Sequence, residues 1–568
     1  MNTKKEKALK DEVDRIIEEG QGERDGGRLS VIVSLTPTDE KVNERLFNTA
    51  SEVFQRRSAT LTARDVLPES QETLKELYET ASTAPREQLS AHTRRTLQAA
   101  RYSLAAELGT DVSAVSAALQ PQGGRQVIAQ VLQNPLVQRT RSETARQEVP
   151  TLPSSRSLVL NMAKDDLARL PAEVPQIQGV YPNRALRLPP LTEVKNVPRE
   201  VQEQRTSSWG VRKISALSVW GAYDARGQKK LSNGQIKKAR VAVLDTGADR
   251  HHPDLIDREG NSKITAWAEF DADCHRVPES AEAYDSDQHG THCAGTIAGG
   301  NASGSWIGVA PEAELAVGLV LKGGGGTDAQ ILAGLNWAIE QQVDVISMSL
   351  GGLSLDVETQ NPYTETLMKA LASGIPVVTS IGNDGSQTTG APGNDLFAFA
   401  VGATDHADNA AGFSGGRTHV IRRSEYLPPE ILPLSYSKPE VMAPGVAIRS
   451  SIPGDPQDPE SYLSAYASFN GTSMAAPHVA GAIALLLSAT EIGSDEKVPR
   501  EQRAFVIQDL LTGTVEELGK SGQDHDFGFG RVDALLATAL AQRDIILLAH
   551  RACNVLPSRP GSSRTRGT

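Results

Sequence analysis

Apolar and polar positions follow two different patterns along the 568-residue chain, and the change comes near residue 208. Before it, residues 28–35 (RLSVIVSL) alternate and are rich in β-branched side chains, which predicts a strand. Further strands are predicted at 157–162 and 179–188, with a short helix between them. Glu, Gln, Arg, Ala and Leu dominate residues 40–148, and the leucines recur at helical spacing, which predicts a mostly helical segment.

After residue 208, glycine becomes frequent and short apolar runs alternate with helical stretches. Continuous apolar strands separated by helices are typical of a parallel sheet that is covered on both faces. The predicted fold class is therefore α/β, a mostly parallel sheet with helices on both faces, preceded by a smaller α+β domain. The predicted strands of the sheet are 240–245, 313–320, 343–350, 375–382 and 398–404.

The chain is too long for one compact core, so several domains are expected. The stretch LPPLTEVKNVPREVQEQRTSS carries prolines, is polar and shows no periodicity, which predicts an exposed linker. We predict a charged tail at 1–27, an N-terminal domain at 28–188 with its helical insertion at 40–148, a linker at 189–208, an α/β domain at 209–545 and a C-terminal tail at 546–568.

Composition narrows the class of protein. A formal charge of −12 and a pI near 5.5 argue against a surface for nucleic acid or for an anionic membrane. Three cysteines cannot all pair within one molecule, so reduced thiols are expected. The N-terminus lacks the apolar core of a signal peptide, and no stretch approaches the roughly 20 apolar residues needed to span a bilayer. We therefore expect a soluble cytoplasmic protein.

Three residues have the chemistry of a nucleophilic site. Ser473 lies at the start of a predicted buried helix, where it serves either as a nucleophile or only as a polar helix cap. Asp245 stands at the end of a predicted parallel strand, where sites form in such sheets, although a turn-capping aspartate is the alternative. His289 begins a small-residue helix. His292 follows three positions later, but no third ligand cluster accompanies the pair, which disfavours zinc.

The chemistry of these three side chains is complementary. A serine hydroxyl is a weak nucleophile unless a base removes its proton during attack. His289, with an ordinary pKa near 6.5, is suited to accept that proton and to return it to a leaving amine. A carboxylate at Asp245 would fix the imidazole tautomer and stabilise the imidazolium.

Seven motifs, in order over roughly residues 209–540, resemble a subtilisin-family (S8) serine endopeptidase. They are VAVLDTGAD with HHPDL, HGTHCAGTIAG, GVAP, VISMSLGG, GNDG, MAPG and NGTSMAAPHVAG. The chain order Asp245, His289, Ser473 is also that of the subtilisin triad. The form HGTHCAG is similar to the proteinase K and thermitase branches, which makes Cys293 a buried helix residue rather than a nucleophile.

The resemblance implies hydrolysis of peptide bonds through an acyl-enzyme. Asp245, His289 and Ser473 would form the triad. Asn383 and the backbone N–H of Ser473 would form the oxyanion hole, although Asn383 is alternatively a turn residue before Gly385. Loss of such a donor costs roughly 2.7–4 kcal/mol of transition-state stabilisation, a value obtained from subtilisin itself. The chemistry requires no cofactor.

The resemblance also implies a cleft for an extended polypeptide. Residues 349–352 would pair with the peptide as an added strand, and glycines within 322–326 would form the opposite edge. Glycine in the primary pocket implies a roomy, mostly apolar slot; Asp384 at its rim either favours a basic residue or is a solvated surface residue. The residues assigned to the cleft are Ser349, Leu350, Gly351, Gly352, Gly323, Gly324, Ser380, Ile381, Gly382 and Gly390.

The sequence departs from the family in three places. Ala302 stands where calcium-binding relatives have an asparagine, so a structural calcium ion at Asp254 is an open question. The segments 271–287 and 417–437 are longer than in the family, and they either shape specificity or elaborate the surface.

The first 200 residues resemble, at 28–35 and 157–188, the inhibitory prodomain of this family, whose C-terminal tail lies in the cleft of the protease. The helical insertion does not fit the compact version of that domain. We hypothesise an autoinhibitory domain, with an unrelated interaction domain as the alternative, and place the processing region at 188–208. Two alternatives to a general endopeptidase stay open: a narrow-specificity processing protease for one intracellular partner, and a catalytically idle scaffold that binds peptides.

Overall fold

A computed structural model describes the N-terminal domain in part and most of the α/β domain. Residues 37–120, which include most of the predicted helical insertion, and residues 543–568, which include the predicted C-terminal tail, lie outside the described residues. The described residues are 3–20, 22–24, 27–36, 121–141, 149–189, 193–195, 197, 206–230, 236–272, 274–278, 282–354, 361–424, 427, 432–493, 498 and 500–542.

The described elements follow the predicted order of a mixed domain and then an α/β domain. The helices are α1 (Thr3–Glu19), α2 (Pro121–Val131), α3 (Pro135–Arg141), α4 (Lys164–Glu173), α5 (Trp209–Lys213), α6 (Ala216–Tyr223), α7 (His289–Ala298), α8 (Asp328–Glu340), α9 (Thr364–Ala372), α10 (Thr472–Ala489), α11 (Arg500–Gly513) and α12 (Ala534–Gln542). The strands are β1 (Glu23–Arg24), β2 (Arg28–Leu35), β3 (Thr151–Leu152), β4 (Ser157–Met162), β5 (Ile177–Pro182), β6 (Ala185–Arg187), β7 (Gln228–Lys230), β8 (Ile236–Lys238), β9 (Arg240–Asp245), β10 (Ile264–Glu269), β11 (Glu314–Leu319), β12 (Gly325–Thr327), β13 (Val345–Met348), β14 (Gly352–Ser354), β15 (Val377–Ser380), β16 (Thr389–Ala391), β17 (Phe399–Thr404), β18 (Arg417–Ile421), β19 (Leu434–Lys438), β20 (Val441–Pro444), β21 (Ile448–Ser451) and β22 (Tyr466–Phe469).

A seven-stranded sheet forms the centre of the α/β domain, in the order β10-β11-β9-β13-β15-β17-β20. Every pairing in it is parallel. Its strands are buried on both faces, as their continuous apolar runs predict; Val241 to Asp245 of β9, for example, are all buried. The predicted α/β fold class is therefore confirmed.

Helices cover both faces of this sheet. The helix α10 packs in the cluster on one face, and α8 and α9 pack in the cluster on the other. Every residue of α10 is buried. By length and composition alone α10 is apolar enough to cross a membrane, and no other helix in the described part of the chain meets that test. Its complete burial is the ordinary property of a core helix in a large domain.

The N-terminal segment is a packed helix and not the charged tail that the sequence suggests for 1–27. Leu9, Val13 and Ile16 of α1 are buried in the core of the N-terminal domain. Their spacing of four and three places them on one face of the helix, while the charged residues occupy the other. The charge of this segment obscured an amphipathic pattern.

The sheet of the N-terminal domain has two buried faces, because successive side chains of a strand point to opposite sides. Val31 and Val33 of β2 belong to the core shared with α1 and α4. Ile32, between them, belongs to a cluster that contains Leu332 of α8 and Leu367 of α9. The N-terminal domain therefore packs against the helices of the α/β domain through the second face of its sheet.

The predicted insertion 417–437 contains a two-stranded hairpin, β18–β19, that ends in a buried ion pair. Nζ of Lys438 lies 2.7 Å from Oε1 of Glu440 and donates to the carbonyl of Ala398, also at 2.7 Å. The second carboxylate oxygen of Glu440 accepts from the N–H of Ala400 at 2.7 Å. Lys438 is completely buried, so its ammonium group joins the hairpin to the residues just before β17 and just before the edge strand β20.

We expect Lys438→Met to lower the free energy of unfolding by about 3–5 kcal/mol, because the variant leaves the Glu440 carboxylate buried without its counter-charge. The measurement is calorimetric unfolding in a Ser473→Ala background, with the exposed Lys520→Met as the control. Adding Glu440→Gln should restore part of the loss. An apparent Tm equal to that of the control would contradict the account.

Candidate active site

Asp245 and His289 meet at the carboxyl edge of the sheet. Asp245 is the last residue of β9, and His289 is the first residue of α7. Nδ1 of His289 lies 2.8 Å from Oδ1 of Asp245, and both side chains are buried. Because a carboxylate only accepts, His289 donates from Nδ1, which leaves its Nε2 free of a proton in the neutral ring. This is the tautomer that a general base requires.

Ser473 is the second residue of α10, as its position at a predicted helix start suggests. Its Oγ donates to the carbonyl of Ser349 at 3.1 Å, and its own carbonyl accepts from Oγ of Ser349 at 2.8 Å. Cys293 joins it to the aspartate–histidine pair: Sγ lies 3.4 Å from the carbonyl oxygen of Ser473 and 3.8 Å from Nδ1 of His289. The three predicted residues therefore share one site, and the serine hydroxyl must turn from Ser349 to reach the imidazole.

Asn383 lies beside the start of α10. Its Oδ1 accepts from the backbone N–H of Thr472 at 2.9 Å and from the hydroxyl of Thr472 at 2.9 Å. With the oxygen held in this way, Nδ2 is the free donor end of the amide, and a Cβ on Gly471 would lie 3.6 Å from it. The N–H of Thr472 is thus used by Asn383, and the amide nitrogen of Asn383 lies near Gly471, two residues before Ser473.

The second histidine of HGTHC is a structural residue. Nε2 of His292 donates to the carbonyl of Ile448 at 2.9 Å, so α7 is tied to β21. Burial is the main reason that the pKa of His292 falls to about 3, which keeps the ring neutral. The ring therefore serves a backbone contact between α7 and β21.

The residues predicted for the peptide cleft lie around two short edges. One edge is formed by β14, which begins at Gly352 and pairs with β16, where Gly390 lies opposite Leu353. Ser380 donates to the carbonyl of Leu350 at 3.3 Å. The N–H of Gly390 donates to the carbonyl of Ile381 at 2.7 Å. The predicted set on this side, brought together by the structure, is Ser349, Leu350, Gly351, Gly352, Ser380, Ile381, Gly382 and Gly390.

The opposite edge extends further than Gly323 and Gly324. It includes β12, Gly325–Thr327, which sequence reasoning left out of the site residues although the run of glycines at 322–326 was visible. Residues Ala185–Arg187 pair with β12 in antiparallel fashion, and the N–H of Leu188 donates to the carbonyl of Gly324 at 2.8 Å. A segment of the N-terminal domain therefore occupies this edge as an added strand.

The surroundings of Asp254 do not fit a calcium ion. Its Oδ1 accepts from the N–H of Ala302 at 2.7 Å, and its Oδ2 accepts from the hydroxyl of Tyr466 at 2.6 Å. Nζ of Lys263 donates to the backbone carbonyl of Asp254 at 2.8 Å. Calcium requires six to eight oxygen ligands, whereas the groups gathered here are N–H, O–H and ammonium donors. An ammonium group already supplies positive charge at this place.

Comparison with known proteins identifies the family and agrees with the fold. The model of the subtilase family matches residues 237–530. Subtilisin from Bacillus pumilus is 38% identical over 289 residues, which are 50% of this chain and 85% of that protein. An intracellular serine protease from Paenibacillus polymyxa is 37% identical over 304 residues, 52% of this chain and 78% of that protein. Alkaline elastase YaB from Bacillus sp. is 33% identical over 356 residues, 62% and 76% of the two chains.

The α/β domain, with Asp245 and His289 at the carboxyl edge of its parallel sheet and Ser473 at the start of α10, is that of a family of peptide hydrolases. The chain belongs to the subtilase family and is a serine endopeptidase that acts on polypeptides without a cofactor for catalysis. The likeness to the proteinase K and thermitase branches stays a prediction.

The pKa of His289 predicts how activity depends on pH. Burial is the largest single influence and lowers the pKa of His289, but the charge and hydrogen bond of Asp245, together with the contact to Cys293, raise it well above 6.5. Because only the unprotonated ring accepts the serine proton, kcat/KM should increase as pH rises through this raised pKa. Asp245→Asn should lower kcat by about 10⁴-fold and move the acid limb toward lower pH.

The measurement is the pH profile of peptide hydrolysis by both proteins, with Asp405→Asn in a distant surface turn as the control. An acid limb that stays in place after Asp245→Asn would show that this carboxylate does not set the pKa of His289.

Proposed function

We propose that Ser473 is the nucleophile of this endopeptidase, with His289 as its general base and Asp245 as the partner that orients the ring. The hydrogen bond between His289 and Asp245 carries the proposal, because it leaves Nε2 able to accept a proton. Oγ of Ser473 forms a bond to the peptide carbonyl carbon, and its proton passes to Nε2 of His289. The carbon–nitrogen bond of the peptide then breaks, and His289 returns the proton to the leaving amine.

Water completes the cycle in the same geometry. His289 takes a proton from water, whose oxygen attacks the acyl-enzyme carbonyl; the ester bond to Ser473 breaks, and the proton returns to its Oγ. In both halves the negative charge develops on the former carbonyl oxygen. Nδ2 of Asn383 and the backbone N–H of Ser473 are the proposed donors to it, aided by the positive end of the dipole of α10.

Asn383→Ala should lower kcat by about 10²–10³-fold with little change in KM, because the amide is needed where charge develops in the transition state. Ser473→Ala should reduce hydrolysis to the residual rate of a site without a nucleophile. The measurement is steady-state cleavage of a fluorogenic peptide, and Asn409→Ala, at an exposed asparagine, is the control. A near-normal kcat for Asn383→Ala would remove this residue from the oxyanion hole.

We further propose that the N-terminal domain inhibits the protease intramolecularly. The antiparallel pairing of Ala185–Arg187 with β12 supports this, because an extended substrate would need the same backbone groups. The side chain of Leu186 is buried beside β14, and a Cβ on Gly352 would lie 2.4 Å from its Cδ2. The inhibitory strand therefore fills the space between the two edges of the cleft.

The chain also contacts the cleft on the other side of the nucleophile. Glu193 forms a bridge with Phe469, four residues before Ser473, and the N–H of Val194 donates to the carbonyl of Ser468 at 2.8 Å. The predicted exposed linker is thus partly paired with the protease. Pairing with the protease at 185–188 and again at 193–194 supports a segment that lies along the surface near Ser473.

Charged groups fix the domain in this position. The guanidinium of Arg184 donates to both carboxylate oxygens of Asp328, at 2.8 and 3.1 Å. Asp328 is buried at the start of α8. A second pair, Arg156 and Glu365, lies 3.0 Å apart and is buried between the domains. Pairs of this kind give geometric specificity to docking, because a misplaced domain would leave buried charges unpaired.

Leu186→Glu in the full-length chain should raise the rate of peptide hydrolysis by about 10- to 100-fold, because burial of a leucine contributes about 1.5–3 kcal/mol and a charge is not accepted in its place. The control is Ala185→Glu, which adds the same charge one residue away on the exposed side of the strand. Initial rates on a short fluorogenic peptide measure the effect. A full-length chain that is already fully active with residues 1–208 attached would refute inhibition.

A further inference from the structure

One carboxylate outside the triad joins the two segments that carry the catalytic acid and base. Asp245 and His289 are 44 residues apart, and Asp285 lies on the loop just before α7. We propose that Asp285 is a positioning residue that holds His289 in register with Asp245. The inference rests on the proposed function, since it assigns a role through the proposed triad.

The carboxylate of Asp285 accepts four hydrogen bonds, two at each oxygen. Oδ1 accepts from the hydroxyl of Thr246 at 2.7 Å and from the N–H of Asp287 at 3.0 Å. Oδ2 accepts from the N–H of Thr291 at 2.7 Å and from its hydroxyl at 2.6 Å. Thr246 directly follows Asp245, and Thr291 is the third residue of α7. Both oxygens are therefore engaged, one mainly with each catalytic segment.

Thr246 connects Asp285 by hydrogen bonds to Asp245 and to the residue that follows His289. Its backbone N–H donates to Oδ1 of Asp245 at 2.7 Å, and its hydroxyl oxygen accepts from the N–H of Gly290 at 2.9 Å. A hydroxyl has one proton. Because Asp285 takes that proton, the lone pairs of the hydroxyl are turned toward the residue that follows His289.

The backbones around Asp285 approach so closely that only glycine is accepted at two positions. A Cβ on Gly290 would lie 2.0 Å from the carbonyl oxygen of Gly247. Gly247 has φ of +107°, and a Cβ on it would lie 2.0 Å from the carbonyl oxygen of Tyr284. The strand end, the loop and the start of α7 are thus packed into one unit with Asp285 between them. Loss of its carboxylate leaves donors unpaired in a space without room for adjustment.

The anionic form of Asp285 suits this place. The pKa of its carboxyl is raised, chiefly by burial, and the hydrogen bonds from Thr291 and Thr246 act in the opposite direction and favour the anion. The same carboxylate lies at the N-terminal end of α7, where a negative charge is favoured.

Ser286, the residue after Asp285, contacts the edge of the cleft through its own hydroxyl, so the role of Asp285 can be distinguished from substrate binding. The hydroxyl of Ser286 donates to the carbonyl of Thr246 at 2.8 Å and accepts from the N–H of Gly323, at the edge of the cleft, at 3.0 Å. Because these bonds do not include the carboxylate, removal of the charge at Asp285 should affect kcat and leave KM nearly unchanged.

The test compares Asp285→Asn in the full-length chain and in an Asp245→Asn background, with kcat and KM from a fluorogenic peptide. We expect Asp285→Asn alone to lower kcat by about 10–100-fold with KM within about twofold, because small displacements of catalytic groups cost this much. In the Asp245→Asn background the same change should lower kcat by less than about threefold, since the positioned pair is already lost. Asp257→Asn, in a surface turn where the carboxylate also accepts backbone N–H groups, is the control.

A second pair of variants distinguishes a loss of positioning from a folding defect. Thr246→Val removes the bridging hydroxyl and should reproduce the loss of kcat, whereas Thr246→Ser keeps the hydroxyl and should stay near the unchanged protein. The acid limb of the pH profile should move toward lower pH in Asp285→Asn and in Thr246→Val, because a displaced His289 loses the field of Asp245.

Several outcomes would overturn the proposal: an unchanged kcat, an equal loss in both backgrounds, or an increase in KM alone. If Asp245→Asn by itself leaves kcat unchanged, the assigned triad fails, and that result is distinct from a failure at Asp285.

Discussion

The hydrogen bond from His289 to Asp245 is the interaction on which the rest of the site depends. It joins the end of a buried strand to the start of a buried helix, it determines the tautomer of the imidazole, and with the charge of Asp245 it contributes to the raised pKa of His289. The fold makes this bond by placing the ends of parallel strands at one edge, where helix starts also lie. Ser473 reaches the same edge on α10, whose complete burial keeps the start of that helix fixed.

The cleft beside this bond has two proposed occupants, a substrate peptide and a strand of the same chain. Backbone groups of β12, which the proposed function assigns to substrates, pair with Ala185–Arg187 of the same chain. The buried pairs Arg184–Asp328 and Arg156–Glu365 hold the N-terminal domain in this position. Under the proposed function, substrate binding and inhibition are governed by one surface.

The fold of the α/β domain could be predicted from local sequence pattern, because buried parallel strands appear as apolar runs and the motifs fall at the ends of these strands. Local pattern also located Asp245, His289 and Ser473 at element ends. It could not reveal Asp285, whose role depends on hydrogen bonds to Thr246 and Thr291 that only the folded chain brings together. The packing of α1 was missed for another reason: its frequent charges concealed three apolar residues on one face.

Active-site labelling of the full-length Leu186→Glu chain with a fluorophosphonate, followed by mass spectrometry of its peptides, tests the central claim most directly. The probe bonds only to a serine that a neighbouring base activates. The account predicts one adduct, on Ser473, that is lost in Ser473→Ala and is strongly reduced when His289 is replaced by alanine. An adduct on a different serine, or none at all, would contradict it.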